Sequence, residues 1–268
     1  MYVGAALAVG LFDRLSPSAV AVLRLVGAAA LLFAWRRPAG SAWRGARFGR
    51  AVAFGLATAL MNIAFYEAIA RLPLGTAVAI EFCGPVAVAA VASRRARDVG
   101  AVLLAAVGVL LIADVRWSGS PSGVMWALAA AALWAVYILL GKRVATAGNG
   151  LDDMAVGFVV AAVVLSPLLL LGGPTAPAAL ADPLVLGLGL GVGVLSSAVP
   201  YALDQVVLRR VGQARFAVLL ALLPATATVV GLVGLAQVPG VAEAVGIAAV
   251  ILAVALRSRE GDELSAVG

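Results

Sequence analysis

Histidine is absent from this 268-residue sequence, and cysteine and lysine occur once each, as Cys83 and Lys142. Without histidine there can be no HExxH metalloprotease motif, no Cys–His zinc site and no serine–histidine pair for rhomboid-type cleavage. Aspartyl cleavage within a membrane needs two facing aspartates, and Asp204 alone lies clearly inside an apolar run. A single cysteine excludes an internal disulfide. The chain also lacks a GxxxxGK[ST] loop, so any transport it performs must draw on a gradient rather than on nucleotide hydrolysis. An enzyme is not expected, and neither is a cofactor or a metal.

Charge is scarce as well. Charged residues make up 12% of the chain and apolar ones 64%, against roughly 25% charged in soluble domains. Such a composition cannot cover a water-facing surface, so the chain reads as an all-α integral membrane protein surrounded by lipid. The net charge of +6 raises the question of nucleic acid. The basic residues, however, lie between the apolar runs, where they act as topology signals, so no nucleic-acid partner is expected. The preference for arginine over lysine and the wealth of alanine suggest a GC-rich bacterial genome, hence a bacterial plasma (inner) membrane.

Crossing the hydrocarbon takes about 20 apolar residues per helix. Nine runs qualify: 17–35, 51–70, 74–92, 99–115, 121–140, 154–171, 183–203, 216–235 and 239–256. Met1–Phe12 precedes them and is too short to span, which reads as the second half of a first helix whose beginning lies upstream. With ten helices, alternate connections hold fifteen basic residues against three: Arg14, Arg71 and Arg116 stand on the poor side. The positive-inside rule then puts both termini in the cytoplasm.

The stretch RLPLGTAVAIEFCGP (71–85) has a partner in RVGQARFAVLLALLP (210–224), with Arg and Pro fourteen residues apart in both. RDVGAVLLAAVGVLLI likewise resembles EAVGIAAVILAVAL. The pattern predicts two five-helix repeats, 1–116 and 121–256, followed by a cytoplasmic tail at 257–268. Because five is odd, the copies are inverted across the membrane around a central cavity, an arrangement common among secondary transporters.

Polar groups within the spans are few. Glu81 sits in span 74–92 with Pro85 four residues on; a carboxylate at mid-span costs roughly 2.5–3.5 kcal/mol on insertion scales. Proline has no N–H, so the Glu81 carbonyl loses its helical partner. Glu81 is either a structural hydrogen-bonding residue or a carboxyl that gains and loses a proton as a cavity opens to each side. Arg24 either snorkels to an interface or works buried. Asn62 and Tyr66 share a helix face, from which Glu67 is rotated by about 100°, so Glu67 reads as an interfacial carboxylate. Trp126, Trp134, Tyr137 and Gly141 follow one stripe, with Trp126 in the interface belt and the deeper pair packing or lining a cavity. Gly187, Gly189, Gly191 and Gly193 form two interleaved GxxxG patterns, which point to helix–helix contact. Pro200, Tyr201, Asp204 and Gln205 give the eighth span a break and a polar face suited to an aqueous pathway. Pro224 marks a corresponding break in the ninth.

These residues carry a resemblance. The stretches LRL (23–25), MN…FY (61–66), PLGTAVAIEFCGPVAVA (73–89), ALWAVYILLGKR (132–143) and LSSAVPYALD (195–204) resemble the drug/metabolite transporter superfamily with two EamA-type repeats, and within it the exporters of threonine and homoserine. The resemblance implies a secondary exporter of small neutral amino acids working by proton antiport with alternating access, as a monomer or homodimer. Export of another small metabolite or a cationic drug is the alternative. Carried over by motif, Arg24, Asn62, Tyr66, Glu81, Trp134, Tyr137, Tyr201 and Asp204 fall on the substrate and proton pathway, Asp204 standing where the pattern has Glu. The chain departs from the pattern at Leu223, where the second repeat has a glutamate, and at Val9, where a polar side chain is usual. Glu67 is not part of the pattern.

Overall fold

The computed structural model describes residues 2–92, 96–117, 120–146, 150–170, 176–198 and 223–258. Tyr201, Asp204, Gln205, Pro200 and most of the 210–224 stretch lie outside the described residues. Those described form helices α1 (Tyr2–Val9), α2 (Pro17–Arg36), α3 (Gly45–Ile69), α4 (Leu74–Glu81), α5 (Cys83–Ala92), α6 (Ala96–Trp117), α7 (Pro121–Thr146), α8 (Gly150–Leu165), α9 (Pro167–Leu170), α10 (Ala176–Ala181), α11 (Pro183–Gly193), α12 (Leu223–Leu235) and α13 (Val241–Ser258), with a π-helical turn at Val194–Ala198 and no strand. Three of them, at Pro17–Arg36, Gly45–Ile69 and Pro121–Gly141, are long and apolar enough to cross a membrane.

Helix ends follow local chemistry. α2 starts with Ser16 accepting a bond from the Ala19 N–H and with Pro17 in the first turn, where a missing N–H costs nothing. Asp182 caps α11 by accepting from the Leu184 N–H at 2.8 Å, again ahead of a proline. The expected span 74–92 is interrupted at Phe82, between α4 and α5, since Pro85 withholds the donor that would continue the ladder through Glu81. The run 154–171 breaks in the same way at Ser166, before Pro167.

Helices cross where side chains are missing. A Cβ on Gly55 of α3 would strike the Gly157 backbone of α8, and one on Gly193 of α11 would strike the Arg24 carbonyl of α2. Gly108 of α6 and Gly246 of α13 face one another's carbonyls, each 2.7 Å from where the other's Cβ would be. Of the two GxxxG pairs on α11, Gly189 and Gly193 therefore pack on α2, while Gly187 and Gly191 have nothing near them.

The two largest apolar clusters meet at one level. A larger cluster holds Val20, Val22 and Leu23 of α2, Ile63 to Ile69 of α3, α4, and the facing sides of α7, α11, α12 and α13. A second holds Leu25 to Leu32 of α2, Phe54 to Ala59 of α3, and Met154 to Ala162 of α8. On α2 the boundary falls at Arg24; on α3 it falls just before Ile63. Beyond the clusters, ion pairs tie the connections together at two opposite ends. Arg14 meets Asp182 at 2.9 Å and Glu67 meets Arg71 at 2.5 Å. At the other end Arg36 meets Asp152 at 3.0 Å and Arg47 meets Asp153 at 2.5 Å.

Candidate functional site

The seam between the two clusters is polar. Arg24 is buried on α2, so it does not snorkel. One terminal nitrogen donates to the Asn62 side-chain oxygen, and the other donates to the Ser196 carbonyl at 3.2 Å. The guanidinium stands 5.6 Å from the centroid of the Tyr66 ring, close enough for cation–π attraction. Asn62 is held in turn by its own helix, donating to the Thr58 carbonyl at 2.8 Å. The shared face of Asn62 and Tyr66 is thus the face that meets Arg24.

Glu81 ends α4 and is buried. Arg24 is the positive charge that acts on its carboxyl, and Tyr2 of α1 lies within its electrostatic reach. Among the described residues the carboxylate makes no hydrogen bond or ion pair. The next residue, Phe82, stacks edge-on against Trp134 of α7 at 4.8 Å, which brings Trp134 to the Glu81 side of the seam. Tyr137, one turn further along α7, packs on Phe54 at 5.0 Å in the second cluster. The Tyr66 hydroxyl is fully buried and borders the seam on the Arg24 side.

The structure therefore brings Arg24, Asn62, Tyr66 and Glu81 together, sets Trp134 beside them through Phe82, and puts Tyr137 on the far side of the boundary. Glu67 is elsewhere: its carboxylate accepts from the Ser18 hydroxyl and from the Ser18 N–H at 3.2 Å, capping α2 while pairing with Arg71. Trp126 is partly exposed. Pro224 lies in the first turn of α12.

Sequence reasoning missed the Ser196 carbonyl, because a backbone atom has no residue-type signature. Tyr2, Thr76 and Glu243 were missed as well; Tyr2 belongs to a run set aside as too short.

Helices broken inside apolar segments and a buried cation–carboxyl grouping between two apolar clusters define a polytopic membrane transporter. The chain belongs to the EamA-like transporter family, whose model matches residues 121–259. The threonine/homoserine exporter RhtA of Salmonella typhimurium is 39% identical over 242 residues, covering 87% of this chain and 79% of that protein. The protein of the same name from Escherichia coli K12 is 37% identical over the same lengths. No solved structure matches. The chain is accordingly a multi-pass membrane transporter rather than an enzyme.

Proposed function

We propose that this protein exports small neutral amino acids of the threonine and homoserine kind from the cytoplasm in exchange for protons, by alternating access. The observation that carries this reading is the grouping of Arg24 and Glu81 in one buried seam. An amino acid is a zwitterion. Its carboxylate suits the guanidinium, which can hold it through two parallel N–H donors, and its ammonium suits the carboxylate of Glu81. A proton arriving from outside neutralises Glu81, and a neutral carboxyl holds an ammonium poorly, so proton binding and substrate release become one exchange. Asn62 and Ser196 keep the guanidinium in place between turnovers; Trp134 and Tyr66 supply flat apolar walls.

Contacts between helices support the two-repeat architecture. Ten spans are obtained by joining α4 with α5, α8 with α9, and α11 with its π-turn, and by leaving the six-residue α10 as a connection. Several inter-half contacts then come in matched pairs: α3 with α8 corresponds to α2 with α11, and α4 with α7 corresponds to α1 with α12. The pairs α2 with α8, α4 with α12, and α6 with α13 map onto themselves. The ion pairs also join connections that the alternating topology puts on one side. Efflux of radiolabelled threonine from proteoliposomes under an imposed pH gradient tests the function. Transport should follow the gradient and vanish with a protonophore; efflux indifferent to the gradient would defeat antiport. A substrate panel including a cationic drug checks the amino-acid assignment.

A further inference from the structure

One buried carboxyl has no part in the seam. Glu243, in the first turn of α13, has no exposed surface. Its carboxylate accepts from the Thr76 hydroxyl of α4 and from the Gly240 N–H at 3.4 Å. Beside it, the Leu74 N–H donates to Gln237 Oε1 at 2.8 Å. That N–H belongs to the first turn of α4, where no helical carbonyl is available to it, so a side chain from the other half of the protein caps the helix. The approach is close because side chains are missing: a Cβ on Gly75 would run into Thr228, and one on Gly231 would lie 2.9 Å from Gln237 Oε1. A small cleft lined by Pro73, Thr76, Thr228, Gln237 and Pro239 opens alongside.

Thr76 and Leu74 come from the first half of the chain and their partners from the second. Both bonds lie at the end of α4 opposite Glu81, and α4 has only eight residues. Because α4 is short, moving its Glu81 end away from the second half pulls on the bonds at its Leu74 end. Hydrogen bonds also suit a contact that must open, because water entering the cleft can replace them at small net cost. The glycine-lined crossings elsewhere lack that property.

We propose that Thr76–Glu243 and Leu74–Gln237 form the outer latch of the transport cycle, closed while substrate is loaded from the cytoplasm and open when it leaves. The inference rests on the exporter reading. Glu243 and Thr76 are positioning residues in this scheme, since they act through α4.

The test bridges the cleft without touching the latch itself. In a Cys83→Ser background, Pro73→Cys and Pro239→Cys are joined by a short bis-methanethiosulfonate reagent that dithiothreitol cleaves. Threonine efflux from proteoliposomes should fall about tenfold or more on bridging, as expected when one of two states is held, and return on reduction. Bridged protein that exports at the unbridged rate overturns the latch. If unbridged protein moves no amino acid at all, the exporter reading fails and takes the latch with it. A second measurement covers misfolding, using Thr228→Cys as a reporter for an impermeant thiol reagent applied from outside. Glu243→Ala should raise its labelling rate about tenfold through loss of the hydrogen bond across to Thr76, whereas Glu243→Gln, which keeps an acceptor for Thr76, should not. Equal rates in all three proteins refute the proposal.

Discussion

Glu81 and Arg24 sit in the same seam but should fail in different ways. Glu81→Gln preserves shape and removes a charge, so the protein should reach the membrane folded. Gradient-driven threonine efflux should drop about tenfold or more, with its pH dependence flattened, because an amide cannot exchange a proton. Unchanged, pH-dependent efflux at equal expression would leave Glu81 a structural residue. Arg24→Lys keeps the charge but loses the planar fork. It should raise the KM for threonine about tenfold while leaving the pH profile in place, measured as initial efflux rates across internal concentrations. Much of this seam was legible in the sequence, since a guanidinium, an amide and a carboxyl stand out in apolar helices and their spacing fixes which faces they share. The Arg24–Ser196 bond was not, because its acceptor is a backbone atom. Nor was the Thr76–Glu243 pair, because a glutamate in the first turn of a helix looks like an ordinary dipole partner.

Helix packing turns on glycines that are chemically alike and structurally different. Gly191 and Gly193 are two residues apart on α11, yet a Cβ at the first meets nothing and at the second meets the Arg24 backbone. Gly191→Ala should therefore be neutral or stabilising by up to about 1 kcal/mol through helix propensity. Gly193→Ala should cost about 1–3 kcal/mol through overpacking and shift the register of Arg24. Thermal unfolding in detergent separates the two, and equal melting temperatures would contradict the α2–α11 crossing. The GxxxG spacing announced a contact, but only the fold could say which of the two interleaved faces makes it, because both are apolar and lipid competes with protein for either. Helix breaks were easier to anticipate. Proline removes a donor wherever it stands, so the interruptions near Pro85 and Pro167 follow from covalent structure alone.

Across the whole molecule, the arrangement divides connections between two faces, and that division can be read chemically. In a Cys83→Ser background, Ala178→Cys should react with an impermeant thiol reagent added to intact cells, and Ser41→Cys should react only after lysis. The opposite pattern would reverse the orientation, and labelling of both from outside would undo the paired repeats. The backbone-to-backbone crossings at Gly55–Gly157 and Gly108–Gly246 carry a consequence for genetics. In a saturation screen for export, these positions should tolerate substitution as poorly as Arg24 or Glu81, although they never meet the cargo. Counts of surviving clones would thus merge two populations, the joints of the scaffold and the groups that handle the amino acid. Scoring the same library for protein abundance pulls them apart: glycine variants should vanish from the membrane, whereas Glu81→Gln should remain there, silent.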